Sequence, residues 1–276
     1  MLGSALREPL EKIGNLACPT STDLDLRDRT STLDFLSASS PQIIVHTAAM
    51  TNVEACEDHP KEAFLTNAEV TQNLVDGAMA SDAHFIYLSS TGIYGNHRSE
   101  PYTEADDVRP TTVHHHSKRM GENIISNHLL RHTILRTGWL YGGERSQPKN
   151  FVYKRFLEAQ GSEKLISDPT QVGCPTWIDN LVRQIIFIIN ERVLGTYNAV
   201  DHGAASRFEY VRQIIKSFNL PCEVVEGTST NFQRKAKVSP NESAENFRLQ
   251  LRGLDQMSPW EESLDRYIHQ LKIKSQ

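Results

Sequence analysis

The sequence predicts an α/β fold, a doubly wound parallel sheet with a smaller C-terminal lobe. Three observations carry this. Short apolar runs alternate with helical patterns, the order expected of βαβ units. Those runs are almost continuously hydrophobic, as strands covered on both faces are. The length, 276 residues, suits one large α/β unit or a main domain with a lobe, and can bury a sizeable core.

The elements follow in order. After Met1-Leu2-Gly3 a helical pattern runs through Leu6, Leu10 and Ile13. Residues 43–49 read as a buried strand entering a loop. A helix is expected from His59 to Met79, with Phe64, Val70, Leu74 and Val75 at helical spacing. Residues 85–90 and 133–137 are further strands, and a helix is expected between them from near Lys118 to about Leu130. Residues 142–148 read as a loop. Helices are expected over 150–160, 177–191 and 208–218, with short strands over 196–200 and 223–226. Ser258-Pro259 starts a last helix, Trp260 to Leu271. No repeat or flexible linker stands out. Residues 1–145 and 146–276 are therefore expected to form a main domain and a smaller lobe that are interleaved rather than strung on a linker.

The net charge of -5 and the scattered Lys and Arg argue against nucleic acid as a partner. Four cysteines without a C-x-x-C pair suit a reduced protein with incidental thiols. No apolar run approaches the roughly 18 residues of a membrane span, and the start lacks a signal-peptide pattern. A cytoplasmic protein with no membrane partner is expected.

Two segments carry candidate chemistry. Ser89-Ser90-Thr91-Gly92-Ile93-Tyr94-Gly95 ends a strand at the carboxyl edge of a parallel sheet, where open α/β folds bind ligands. A polar loop capping the next helix is the plainer alternative. The second segment is Val113-His114-His115-His116-Ser117-Lys118-Arg119-Met120-Gly121-Glu122, whose Lys118 can approach a bound ribose. Its three adjacent histidines diverge, and no partner set stands at metal-ligand spacing, so no metal is expected.

Together these segments resemble the catalytic layout of extended short-chain dehydrogenase/reductases. Ser-Ser-x-x-x-Tyr-Gly is followed by a lysine at the start of a helix and then Gly-Glu. Further pieces match in order: Asp25-Leu26-Arg27-Asp28, His46-Thr47-Ala48-Ala49-Met50-Thr51, Asn67, Arg136-Thr137-Gly138-Trp139-Leu140-Tyr141-Gly142, Gln171-Val172-Gly173-Cys174-Pro175-Thr176 and Pro259-Trp260-Glu261-Glu262-Ser263-Leu264. Over nearly its whole length the chain is similar to the dTDP-4-dehydrorhamnose reductases.

The resemblance implies a Rossmann-like fold and reduction of a 4-keto-6-deoxy sugar nucleotide, in surface polysaccharide or deoxysugar biosynthesis. It implies Ser90 holding the carbonyl oxygen, with Lys118 lowering the pKa of a proton-donating tyrosine. Gly3, Asp25, Leu26, Ala48, Ala49, Thr51, Asn67 and Lys118 fall at cofactor positions. Thr51, Val53, Thr91, Trp139, Asn150, Gln171 and Thr176 fall at substrate positions, with Trp139 able to stack on sugar or base. The cofactor is NADP or NAD. Thr20 or Ser21 could take a 2′-phosphate, a slight lean to NADP. A homodimer is compatible with the family.

The chain departs from the pattern twice. The tyrosine position, four residues before Lys118, is His114. Three readings stay open: His114 as proton donor, an inactive or very slow chain, or another acid such as His115 or a water. A dinucleotide fold also opens with a strand and a glycine-rich turn. Here Gly3 resembles the last glycine of that turn, and the strand and earlier glycines are absent from the sequence. Either Met1 is internal to a longer chain or this is a short form. An exposed sheet edge and low stability, or a compensating partner, are then expected. Two other functions compete: a non-catalytic binding or regulatory relative, and a sugar-nucleotide epimerase. Dehydration is disfavoured, because Thr91-Gly92 stands where dehydratases carry Asp-Glu.

Overall fold

The computed structural model describes residues 1–228 and 231–273. Helix α1 (Leu2–Glu11) opens the chain and buries Leu2 and Leu6. Helix α2 (Arg29–Ser39) is capped by Asp28, whose carboxylate accepts from the Ser31 N–H. Strand β1 (Ile43–His46) follows, then the short helix α3 (Val53–Asp58), capped by Asn52. Helix α4 (Pro60–Phe64) passes through a π turn at Leu65–Glu69 into α5 (Val70–Ser81). Strand β2 (His84–Ser90) ends in a 3-10 turn at Thr91–Tyr94. Helix α6 (Val113–His128) leads to β3 (His132–Thr137) and β4 (Leu140–Tyr141).

The second half holds α7 (Phe151–Gln160), β5 (Lys164–Ser167), β6 (Val172–Gly173), β7 (Thr176–Trp177) and α8 (Ile178–Asn190). It continues with β8 (Gly195–Asn198), β9 (Ala205–Ser206), α9 (Arg207–Phe218) and β10 (Glu223–Glu226). Helices α10 (Phe247–Leu251) and α11 (Trp260–Ile273) close the described chain.

The main sheet runs β1-β2-β3-β8, every neighbouring pair parallel. Successive residues of a strand point to opposite faces. Ile86, Leu88 and Leu135 therefore pack on one side with Leu2 and Leu6 of α1 and Leu181 and Ile185 of α8. Phe85, Tyr87 and Ile134 pack on the other with Leu36, Leu74, Val75 and Ile125. This is the doubly wound α/β architecture the alternation predicted. Three two-stranded pairs, β5–β10, β4–β7 and β6–β9, belong to the second half.

Several boundaries move. The expected helix over 59–79 starts at Pro60, since proline suits a first helical position, and α3 stands before it as an unexpected helix. Helix α6 begins at Val113, well before Lys118, because the Thr112 hydroxyl accepts the His115 N–H and caps it. The polar run 114–117 hides this start from an apolar-periodicity reading. Among the described residues no strand precedes α1, and β1 is the edge strand. On it Ile43 is exposed and Ile44 and Val45 are half-buried. No helix among the described residues is long and apolar enough to cross a membrane.

Candidate active site

Parallel strands deliver their carboxyl ends to one edge of the sheet. Ser90 sits at the end of β2, where its hydroxyl accepts the Gly92 N–H at 3.2 Å and starts the 3-10 turn. Thr91 is buried against Gly138, where a Cβ would overlap its hydroxyl. The exits of β2 and β3 thus touch.

Helix α6 packs on this turn. His114 and Lys118 lie one turn apart on it and share a face. Lys118 is 4% exposed, with Nζ 3.9 Å from the Tyr87 ring centroid. Burial pulls the Lys118 ammonium from 10.5 down to about 7, against the attraction of Glu122. That carboxylate is spent elsewhere: Arg136 donates to it through Nε at 3.0 Å and Nη2 at 2.9 Å, and Arg119 adds a third bond at 2.8 Å. Arg136 also donates to the Tyr94 hydroxyl, which donates to Asn198.

His114 Nδ1 stands 3.0 Å from the Met50 carbonyl. A carbonyl only accepts, so Nδ1 carries the hydrogen and Nε2 of the neutral ring is bare. Burial first, then the charges of His115 and Lys118, pushes the imidazole down to about 3. At neutral pH His114 is a neutral ring whose Nε2 can accept a hydrogen bond but has no proton to give. Asn67, fully buried, holds the same loop: Oδ1 accepts the Met50 N–H, and Nδ2 donates to the Met50 carbonyl and to Ser117 Oγ. Its polar atoms are engaged, so it acts on a ligand only by positioning residues 48–51.

A second cluster borders Gly92, two residues beyond Ser90. Trp139 has a left-handed backbone (φ 46°), rare and strained for a bulky residue. Its Nε1 donates to Glu242 Oε2 at 2.9 Å. The Arg207 guanidinium carbon lies 3.3 Å from the indole centroid. Gly173 also approaches so closely that a Cβ would overlap the ring. Glu242 Oε1 faces His115 Nε2 at 3.9 Å, and a Cβ on Gly92 would come within 2.8 Å of that oxygen and overlap His115. Burial raises the Glu242 carboxyl above its usual range and lowers His115 to about 4. Trp139, which the resemblance leaves able to stack on a sugar or base, carries Arg207 on its ring. A ligand approaching that side meets the guanidinium first.

The remaining expected residues divide. Gly3 lets α1 approach the loop after β1, where a Cβ would lie 2.9 Å from Thr47 Oγ1. Ala48 is exposed and Ala49 half-buried in that loop. Thr51 accepts from Lys149 at 2.7 Å, and Val53 opens α3. Asp25 is exposed and bound to Arg27, while the Leu26 carbonyl accepts from Asn73. Asn150 caps α7, accepts the Tyr153 N–H and donates to Tyr267 and the Glu144 carbonyl. Thr176, fully buried, donates to the Cys174 carbonyl and accepts the Asp201 N–H. Asn150 and Thr176 therefore brace the second half and have little left for a ligand. Gln171 accepts from Arg207 Nε at 3.4 Å. A polar hollow of about 470 Å³ beside Asp106, Arg109, Arg119 and Arg136 does not include Ser90 among its lining residues.

Residues 1–273 match the RmlD substrate binding domain family. The chain belongs to this family. The RmlD-type chain is 25% identical to the spore coat polysaccharide biosynthesis protein SpsK of Bacillus subtilis, over 98% of this chain and 94% of that protein. A crystal structure of a dTDP-4-dehydrorhamnose reductase from Clostridium acetobutylicum superposes with a TM-score of 0.93 at 28% identity, covering 98% of this chain and 96% of that one. The dTDP-4-dehydrorhamnose reductase of Bacillus anthracis, solved in complex with NADP, gives 0.92 at 27% identity, over 98% and 95%. The resemblance to extended short-chain dehydrogenase/reductases thus holds for this RmlD-type chain.

Sequence reasoning missed Arg207 and Glu242, and named His115 only as an alternative acid. No motif marks the first two. A charged residue opening the otherwise amphipathic α9, and an acid between Asn241 and Ser243, were the faint signals available.

Proposed function

We propose that this chain reduces the 4-keto group of a 6-deoxy sugar nucleotide with NADPH or NADH, in surface polysaccharide or deoxysugar biosynthesis. The observation that carries the reading is the buried Lys118, poised near neutrality on α6 beside the Ser90 turn at the carboxyl edge of the sheet. Family membership and the named activities of the related structures support it. When bound, the nicotinamide cofactor supplies the hydride.

The residues present fit such a cofactor. Gly3 lets α1 draw close to Thr47, Ala48 and Ala49 are small, and no hydrogen bond from the Lys118 ammonium to a protein group occurs among the described residues. Residues 1–145 would hold the cofactor, with Asp25 and Leu26 on the adenine side and Thr51 between cofactor and sugar. Residues 146–276 would hold most of the sugar nucleotide, with Gln171 and Trp139 behind it and Val53 and Thr91 bordering it.

In this reading Ser90 donates a hydrogen bond to the carbonyl oxygen, and Lys118 supplies the proton. An N–H bond of the ammonium breaks as the product O–H forms, and the neutral amine left behind takes a proton from solvent to become the ammonium again. His114 positions the loop through Met50 rather than acting as the acid. The reaction is placed in the cytoplasm. A homodimer belongs to the proposal through family resemblance, and sedimentation would report it.

The bare Nε2 of His114 favours a second reading, a catalytically impaired nucleotide-binding or regulatory relative. NADPH or NADH oxidation with dTDP-4-keto-6-deoxy sugars, measured from pH 6 to 10, separates the two. Turnover supports the reductase. Binding of cofactor without any oxidation, seen as a thermal shift, supports the regulatory chain. Interconversion of sugar-nucleotide epimers without net oxidation would mark an epimerase.

A further inference from the structure

We infer that Arg207, lying on Trp139, is the seat for the diphosphate of the sugar nucleotide. The inference rests on the reductase reading only for the identity of the ligand. The geometry of the seat stands apart from it.

Arg207 is half-buried at the start of α9. Its guanidinium carbon lies 3.3 Å from the Trp139 ring centroid, and Phe151 flanks it at 5.5 Å from guanidinium carbon to ring centroid. Stacking on aromatic faces fixes the plane of a guanidinium and leaves its edge N–H groups for hydrogen bonding. Those groups are almost unspent. The single side-chain bond among the described residues is the long one from Nε to Gln171 at 3.4 Å, and no carboxylate pairs with Arg207. Two acids are near in the electrostatic sense, and neither forms an ion pair with Arg207 among the described residues. Glu242 accepts from Trp139, and Asp168 accepts from the Thr170 N–H and hydroxyl. Arg234 adds a second positive charge nearby. Burial pulls the Arg207 guanidinium down to about 10. A half-buried cation stacked on an indole, with free donors, is stabilised by an anion that accepts two of them, and phosphate matches that fork.

The position sets the orientation. Glu242 Oε1 borders Gly92, two residues beyond Ser90, at one end of Trp139. Arg207 covers the ring itself. A substrate with its carbonyl at Ser90 and its charged diphosphate over Trp139 would place a sugar hydroxyl toward Glu242 and phosphate oxygens on Arg207. The strained backbone of Trp139 is then part of the seat, since the indole carries the guanidinium.

Titration calorimetry of the native protein and of Arg207→Gln with dTDP, thymidine and inorganic pyrophosphate tests this. The native protein should bind dTDP and pyrophosphate. Arg207→Gln should lose about tenfold to a hundredfold in affinity for both, the scale of a charge-assisted hydrogen bond. Thymidine and NADPH should bind it as before, and Arg207→Lys should fall between. Native affinity for dTDP in Arg207→Gln, or no binding of pyrophosphate by the native protein at millimolar concentration, overturns the inference. If Arg207→Gln does not fold, tryptophan fluorescence of the native protein decides. Pyrophosphate should perturb it, and the response should vanish in Trp139→Phe; a response that persists there overturns the inference. Weakened dTDP binding without keto-sugar turnover by the native protein sinks the reductase reading and leaves the seat standing. Turnover by Arg207→Gln with an unchanged KM sinks the seat alone.

Discussion

Replacing Lys118 with methionine should abolish reduction and, in the same molecule, raise stability. The ammonium is 4% exposed and sits over Tyr87 without a carboxylate bond. The groups facing it are His46 on β1 and His114 on α6, both held neutral near 3, the Tyr87 phenol raised by burial, and Glu122, locked to Arg136 and Arg119. Lowering its pKa from 10.5 to about 7 corresponds, at about 1.4 kcal/mol per pH unit, to a ceiling of about 5 kcal/mol of folding free energy.

The direction follows from the folded pKa lying below the unfolded one. The penalty is fully present below pH 7, shrinks as pH rises from 7 toward 10.5, and is gone above that. Urea unfolding without cofactor should find Lys118→Met more stable than the native protein at pH 7, with the gap largely closed by pH 10. A general acid must be protonated to act, so native kcat/KM should fall about tenfold per pH unit above 7. Loss of a general acid costs roughly 10²–10⁴ in rate, while His114→Gln should keep most activity because its amide can still donate to Met50. A methionine variant no more stable than native at pH 7, or a rate that stays flat to pH 9, would refute the assignment. So would a His114→Gln variant that loses activity as completely as Lys118→Met while still folding.

Two further outcomes test the packing around the site. Gly92→Ala drives a methyl into His115 and toward Glu242. It should cost about 1–3 kcal/mol in thermal or urea unfolding, and His115→Ala in the same chain should recover most of that. An unaltered Gly92→Ala would mean the 3-10 turn yields more easily than its buried contacts suggest. Arg136→Met leaves the buried Glu122 with Arg119 alone and should cost about 3–5 kcal/mol, whereas adding Glu122→Gln should restore much of it. Equal losses in the single and double variants, by chemical denaturation, would count against the pair.

The sheet was legible because its signals are local. The apolar runs of β2 and β3 are buried on both faces and read as such, and β1 at the sheet edge still shows as a short apolar run, whereas the caps at Thr112 and Ser206, one hydroxyl each, went unread. The positions of Ser90 at a strand end and of Lys118 on a helix face follow from short windows, while their roles belong to the proposal. The substrate side was not. Trp139, Arg207 and Glu242 are brought together across more than a hundred residues by the fold of the second half, and no period in the chain encodes that meeting. The role of His114 was hidden for a subtler reason. Its identity suggests an acid that works near neutrality, but function depends on which nitrogen carries the hydrogen. The Met50 carbonyl decides that, and Asn67 holds the carbonyl in place from another helix. With burial holding the ring neutral at neutral pH, the proton is proposed to come not from His114 but from Lys118, one helical turn along. That group needs no phenol to be poised, because its own burial has already brought it to about 7.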